Sequence, residues 1–158
     1  MTSPPRIPPP VFMLVAALVM WALDRFVPLI HWITPPWNRL AAVFGVAGLV
    51  ISVTAVARFL QRKTTLNPAV PAKASILVTD GVFRISRNPM YLGLVLLLIG
   101  WALWLGSITP WLVVPVFVAG VTVAQIVPEE RALAERFGET YVAYRRRVAR
   151  WIGRPADG

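Results

Sequence analysis

Two short stretches of the sequence carry residue types that bind a charged small molecule. In the first, residues 86–93 (SRNPMYLG), Asn88 and Pro89 mark a helix start: Asn caps free backbone amides, and the fixed φ of proline suits the first helical position. A helix N-terminus offers backbone donors and a partial positive charge, which suit a carboxylate. Arg87 adds a full charge, although a side chain reaching the membrane interface as a topology anchor is an equally good interpretation of it.

The second stretch is the acidic pair Glu129 and Glu130, which follows Pro128 in a chain with only seven acidic residues. A carboxylate at membrane depth is costly and so indicates function, although carboxylates also favour the first turn of a helix. If a helical hairpin turns through residues 107–110, its two ends bring residues 88–91 beside this pair. A pocket with a carboxylate, amide donors, aromatic rings and Arg would suit a zwitterionic cofactor that carries a purine.

The elements that must position these residues are membrane helices. The chain is 57% hydrophobic and 15% charged, too apolar for a soluble domain of 158 residues. Its long apolar segments, each near the length that crosses the hydrocarbon core, predict an all-α integral membrane protein with the last two spans forming the hairpin. The predicted spans are 11–30, 40–60, 89–106 and 111–127, in a single domain over residues 1–158.

The distribution of charge predicts topology and excludes other classes of protein. The formal charge is +9, and the basic residues concentrate in the loop 61–88 and after residue 127. By the positive-inside rule, that loop and both termini lie in the cytoplasm. Topology and lipid headgroup contacts account for these charges, so nucleic acid is not expected as a partner. With no cysteine and a single His31, a metal site is not expected either.

The C-terminal tail has one apolar stripe at helical spacing, which predicts a cytoplasmic amphipathic helix over residues 129–152. Its other face is rich in Arg, so the helix either rests on the membrane surface or folds back over the cytoplasmic end of the bundle. Gly138 is a candidate break within it. The stripe consists of Leu133, Phe137, Tyr141, Tyr144, Val148 and Trp151.

The order of these motifs resembles a known family. The run LVTDGVFRISRNPMYLG, a two-span hairpin and then EERALAERFGETYVAYRRRVARW resemble the isoprenylcysteine carboxyl methyltransferase family and its bacterial relatives, which are themselves similar to phospholipid methyltransferases. The resemblance covers residues 64–152. It implies an integral membrane enzyme, in a bacterial inner membrane, that transfers a methyl group from S-adenosylmethionine to a lipid or another lipophilic acceptor.

The resemblance also implies a set of site residues. The loop 61–88 would hold the cofactor together with the start of the third span and the acidic pair, and Gln125 and Arg87 are the candidates to face the acceptor. Asn88 stands where eukaryotic members have His, and Gln125 stands where they have an Arg that faces the acceptor, which disfavours an isoprenylcysteine carboxylate. The implied cofactor residues are Ser75, Ile76, Leu77, Val78, Phe83, Asn88, Pro89, Met90, Tyr91, Glu129 and Glu130.

Methyl transfer from S-adenosylmethionine requires few catalytic groups of the protein, whose main task is to align the reactants. The methyl group of a sulfonium is already activated, so the enzyme must orient an acceptor in line and exclude water, and needs no nucleophile of its own. An amine, a thiol and a carboxylate all remain open as acceptor. A second hypothesis is a non-catalytic membrane module that binds anionic lipid or a partner through the Arg-rich sequence YRRRVARWIGR. A transporter is disfavoured, because no span carries a charge near its centre.

Overall fold

The computed structural model describes residues 8–62 and 76–153, and within these ranges the protein is built from helices. Short 3-10 turns precede several of them, and in the described part of the chain one bridge between extended residues joins His31 and Ser107. The helices in chain order are α1 Pro9–Phe26, α2 Leu40–Gln61, α3 Pro89–Leu105, α4 Val113–Val121, α5 Val127–Phe137 and α6 Glu139–Arg147.

Three helical stretches of the described chain are long and apolar enough to cross a membrane: Pro9–Phe26, Trp37–Gln61 and Thr109–Phe137. The last of these joins α4 and α5 in one continuous run. The apolar helix α3 has 17 residues and at about 1.5 Å per residue spans nearly the thickness of the hydrocarbon core. The protein is therefore an all-α integral membrane protein, as the sequence predicts.

Helix α3 lies at the centre of the bundle, in contact with α1, α2 and α4. It is apolar around its whole circumference, which is the pattern of a helix enclosed by others. Leu98 and Ala102 of α3 pack into one cluster with Met20 of α1 and Val121 of α4. By contrast, many large apolar side chains of α1 and α2 are exposed, because these helices present one side to lipid.

Close contact between α2 and α3 fixes the start of α3. A Cβ atom added at Gly48 would lie 2.6 Å from the carbonyl oxygen of Gly93, and one at Gly93 would lie 2.6 Å from that of Gly48. The two backbones can approach this far only because both residues lack a side chain. The last turns of α2 thereby come beside residues 76–85, where Ala55 and Phe59 pack on Val78 and Phe83.

The turn between α3 and α4 is fastened to the loop after α1. Gly106 closes α3 with a φ of +85°, and its carbonyl accepts hydrogen bonds from the amides of Trp32 and Ile33 at 3.1 and 3.2 Å. The Ser107 hydroxyl donates to Asp24 Oδ1 at 2.5 Å. The hairpin thus turns at this end of the bundle. The starts of α3 and α5 lie together at the opposite end.

The second half of the hairpin and the tail depart from simple helices. A π-turn over Thr122–Ile126 joins α4 to α5. The sequence predicts one tail helix over residues 129–152, whereas the structure has two, and the second ends at Arg147. Gly138, with a φ of +50°, separates them, because a backbone in this region breaks the helical path and favours glycine.

Candidate functional site

The start of α3 has the predicted proline but not the predicted cap. Pro89 occupies the first turn, and the Asn88 carbonyl accepts the Leu92 amide at 3.0 Å. The expectation that the Asn88 side chain caps the helix is wrong: it makes no capping bond, and its Nδ2 donates to the carbonyl of Arg150 at 3.2 Å. The backbone amide of Asn88 donates to Ser86 Oγ at 3.0 Å instead. This side chain therefore links α3 to the C-terminal segment.

The hairpin brings the start of α3 against the start of α5. The Tyr91 hydroxyl donates to Glu129 Oε1 at 2.8 Å, and the tyrosine is 6% exposed. A hydrogen bond from a buried hydroxyl to a carboxylate is charge-assisted and strong. Tyr91 thus orients one of the two acidic side chains.

Glu130 is the centre of a buried cluster of charges. Its carboxylate accepts Nε of Arg150 at 3.1 and 3.2 Å and Nη2 of Arg150 at 2.7 Å. Nη2 of Arg87 lies 3.1 Å from Glu130 Oε1, and both of these side chains are about nine-tenths buried. Arg87 is therefore not an interface anchor but a buried partner of the acidic pair.

Arg87 keeps donors to spare. Its Nε and Nη1 are buried and have no hydrogen-bond partner in the described part of the chain. Leaving buried guanidinium hydrogens unbonded costs free energy, so such groups normally serve a ligand or water. These two nitrogens are the clearest sign of an anion site in the molecule.

Residues 148–151, here named the C-terminal strap, lie across the start of α3. The Arg87 amide donates to the Ala149 carbonyl at 3.0 Å, and Ser86 Oγ donates to the Arg150 carbonyl at 3.1 Å. In α6, the Tyr144 hydroxyl donates to the Phe83 carbonyl at 2.7 Å. Of the two positions that the sequence leaves open for the tail, the structure has the one folded back over the bundle.

The apolar stripe of the tail is buried in this fold. Tyr141, Tyr144 and Val148 form a cluster against which Leu77 and Leu133 pack. Burial raises the pKa of both tyrosine hydroxyls, and the Glu130 charge adds to the rise for Tyr141 while Arg87 opposes it. Both phenols therefore remain neutral donors at physiological pH.

An ion pair outside the membrane fastens residues 80–84 to α2. Arg62 Nη2 donates to Asp80 Oδ2 at 2.9 Å, and Arg58 Nη1 lies 3.7 Å from the same oxygen. The Arg62 hydrogen bond holds the pKa of the Asp80 carboxyl below its usual value. Exposed pairs contribute little stability, so this pair adds only modestly to the packing that holds Phe83 beside the end of α2.

These elements enclose a recess of about 90 Å³. One side is apolar and aromatic, from residues 76–83, and the other carries the charges of Arg87 and the acidic pair. Eight of the predicted site residues line it, and four that the sequence analysis did not assign to a site complete it. The lining consists of Phe59, Ile76, Leu77, Val78, Phe83, Arg87, Asn88, Glu129, Glu130, Leu133, Tyr141 and Tyr144.

The remaining predicted residues lie behind or beside the recess. Pro89 is fully buried, and Met90 packs against the cluster of Val78 and Phe83. Tyr91 acts on the recess through Glu129. Gln125 is 2% exposed in the π-turn, one turn before Glu129, and is not among the lining residues. Ser75 lies outside the described residues.

Arg150 is a further residue of the site that the motifs of the sequence do not indicate. It lies 20 positions after Glu130 in the sequence, in a tail with many arginines, and nothing in the spacing distinguishes it from its neighbours. Its bonds to Glu130 raise the pKa of its guanidinium, so it is always charged. One feature of the sequence does point to Arg150: the apolar stripe ends at Trp151, so the residue next to it lies beside the buried face of the tail.

Comparisons with known proteins give a family match and two relatives. A model of the phospholipid methyltransferase family matches residues 37–140 of the 158. The chain is 43% identical over 63 residues, 40% of its length and 100% of the relative's, to a Haemophilus influenzae protein described as uncharacterized. It is 27% identical over 120 residues, 76% of its length, to the protein-S-isoprenylcysteine O-methyltransferase of Schizosaccharomyces pombe, and spans 51% of that relative. No solved structure matches the chain.

Proposed function

The chain belongs to the phospholipid methyltransferase family, and we propose that it transfers a methyl group from S-adenosylmethionine to a lipophilic acceptor at the membrane surface. One observation carries the proposal. In a single recess, the spare buried donors of Arg87 lie near the Glu129 carboxylate and an apolar, aromatic wall. Opposite charges and an apolar wall in one recess are what a zwitterion attached to a purine nucleoside requires.

The residues of the recess fit the cofactor in chemistry. Nε and Nη1 of Arg87 would hold its carboxylate. Glu129, oriented by Tyr91, would pair with its ammonium. Phe83 and the backbone of residues 76–78 would form the adenine wall, with Leu133 opposite.

In size, the recess is smaller than the cofactor. Sites for ligands of this kind enclose about 300–1,000 Å³, whereas the recess measures about 90 Å³. The groups that can move to widen it are those of the second half of the tail, because Tyr141 and Tyr144 belong to the short helix α6 after the break at Gly138. Binding is therefore coupled to a movement of α6 or of residues 76–78.

When bound, the cofactor supplies a methyl group already activated by its sulfonium. The protein's own residues then have to hold both ends of the cofactor, orient the acceptor and exclude water. Of the two residues that the sequence suggests for the acceptor side, Arg87 is engaged with the carboxylate of the cofactor, so Gln125 is the candidate to face the acceptor; neither provides a general base. No side chain here activates the acceptor, so the acceptor must be nucleophilic by itself. An amine, a thiol and a carboxylate all meet this requirement.

We place the site at the cytoplasmic face of a bacterial inner membrane. The support is the positive-inside rule, because Arg62, Arg84 and the exposed arginines of α6 all lie at the recess end of the bundle. On this assignment both termini are cytoplasmic, residues 1–158 form one domain, and a lipid acceptor enters sideways between helices.

The alternative of a module that binds anionic lipid through its tail has less support. The tail does not lie on the membrane surface with its apolar stripe toward lipid, since Tyr141 is 2% exposed and Tyr144 is 6% exposed inside the protein. The exposed arginines Arg145, Arg146 and Arg147 remain available for headgroups, but that role does not explain the buried donors of Arg87.

Labelled methyl transfer tests the proposal. Membranes containing the protein are incubated with cofactor labelled on its methyl group, and the lipids are extracted and counted. With the labelled cofactor below saturation, we expect label in the lipid fraction with wild type, and at least about tenfold less with Glu129→Gln. Glu135→Gln, the same change at an exposed position of α5, should retain the wild-type level. No label with wild type, or equal label with Glu129→Gln, would contradict the proposal.

A further inference from the structure

Glu130 is shared unequally between two arginines. Arg150 grips both carboxylate oxygens, Oε1 through Nε at 3.1 Å and Oε2 through Nη2 at 2.7 Å. Arg87 reaches Oε1 alone, through Nη2 at 3.1 Å. The guanidinium that is more exposed therefore has the two-point pairing, and the one that is nine-tenths buried has a single contact.

This arrangement is not what Arg87 and Glu130 would adopt by themselves. An arginine and a carboxylate prefer two parallel hydrogen bonds, and the preference is stronger where water is excluded. With Arg150 removed, the Glu130 carboxylate would be released to rotate and accept a hydrogen bond from a second nitrogen of Arg87. After that rotation, Nε or Nη1 of Arg87, which are now unbonded, would donate to Glu130 and would no longer be available to a ligand.

We propose that Arg150 is a positioning residue: by holding both oxygens of Glu130, it prevents Glu130 from pairing two-fold with Arg87 and so keeps Arg87 available for the carboxylate of the cofactor. The inference rests on the proposed function, since the cofactor supplies that carboxylate. It explains why a buried arginine keeps two unbonded nitrogens beside an acid that could bond one of them.

The effect of the Arg150 side chain on Glu130 can be tested without disturbing the fold of the C-terminal strap. The contacts that seat it at this point use backbone groups: the Ala149 carbonyl accepts the Arg87 amide, and the Arg150 carbonyl accepts Ser86 Oγ and Asn88 Nδ2. A substitution of the Arg150 side chain leaves these groups in place. Arg150→Gln therefore removes the grip on Glu130 while the strap keeps its backbone anchors.

The test compares two ligands that differ at the zwitterionic end. S-adenosylhomocysteine carries the carboxylate and the ammonium, whereas 5′-methylthioadenosine keeps the nucleoside and the thioether but lacks both. Isothermal calorimetry on the full-length protein in detergent measures the dissociation constant of each. The variants are Arg150→Gln, Arg150→Lys and Arg146→Gln, the last a matched loss of charge at an exposed position of α6.

We expect Arg150→Gln to weaken S-adenosylhomocysteine at least about tenfold, the effect of losing one charge-assisted hydrogen bond, and to leave 5′-methylthioadenosine unchanged. Arg150→Lys should bind with an affinity between those of wild type and Arg150→Gln, because an ammonium keeps the charge beside Glu130 but cannot hold both of its oxygens. Arg146→Gln should match wild type for both ligands.

Three results would overturn the inference. Equal weakening of the two ligands in Arg150→Gln would mean that Arg150 only supports the fold of the strap. Unchanged binding of S-adenosylhomocysteine in Arg150→Gln would mean that Glu130 does not compete for Arg87. Wild-type affinity in Arg150→Lys would mean that the two-point pairing with Glu130 is not what keeps Arg87 available. Failure of wild type to bind either ligand would instead refute the proposed function, on which the inference depends.

Discussion

Substitution of the two acidic residues at the start of α5 should have different effects on the stability of the protein. Glu130→Ala is expected to destabilise the protein, and Glu129→Gln is expected to spare stability while removing the charge that pairs with the cofactor. The difference follows from their partners: Glu130 lies between Arg87 and Arg150, whereas Glu129 accepts the Tyr91 hydroxyl.

The size of the Glu130→Ala effect is set by Arg87. The Arg87 side chain is 9% exposed, so it cannot recover full hydration when its counter-ion is lost. Removing one member of a buried ion pair costs about 3–5 kcal/mol. In Glu129→Gln the amide keeps an oxygen that accepts from Tyr91, so the expected cost is below about 1 kcal/mol.

Thermal unfolding in detergent, followed by intrinsic fluorescence, measures both effects, since the chain contains seven Trp. At about 2–4 °C per kcal/mol for a chain of this size, Glu130→Ala should melt roughly 6–20 °C below wild type, and Glu129→Gln within about 4 °C of it. Similar melting temperatures for the two variants, or a lower one for Glu129→Gln, would show that the buried charge cluster does not hold this end of the protein together.

Tyr144→Phe removes the bond to the Phe83 carbonyl and should cost about 1–2 kcal/mol, seen as a lower melting temperature. Burial raises the pKa of Tyr144, so the unfolded chain releases this proton first as pH rises past 10.0; wild-type stability should fall above that pH, and fall less steeply in Tyr144→Phe. Gly93→Ala should separate α2 from α3 and lower the yield of folded protein, whereas Gly45→Ala, with nothing within 4 Å of the added Cβ, should match wild type in gel filtration.

Much of the fold follows from local features of the sequence. Apolar length locates the helices, and the Pro89 signal places the start of α3 at the residue where the structure has it. The tail is harder, because its apolar stripe continues past the point at which the helix stops. The chain leaves the helix after Arg147, and the carbonyls of Ala149 and Arg150 accept hydrogen bonds from Arg87, Ser86 and Asn88. Partners so distant in the sequence cannot be read from periodicity.

The site was predictable where it depends on the hairpin and not where it depends on the strap. A turn between two helices of similar length brings their far ends together, which places Tyr91 at Glu129. The capping role expected of Asn88 failed because a tertiary acceptor, the Arg150 carbonyl, competes for its side chain. Arg150 itself was missed because its pairing with Glu130 exists only after the tail has folded back.

The central claim is that the recess between α3, α5 and α6 binds the zwitterionic end of S-adenosylmethionine, and direct titration with its product tests it. Calorimetry of the detergent-solubilised protein should show saturable binding of S-adenosylhomocysteine to wild type and to Glu135→Gln. Binding should be at least about tenfold weaker in Glu129→Gln, which loses the charge that pairs with the ammonium. Absence of binding to wild type, or equal affinity in Glu129→Gln, would contradict the account.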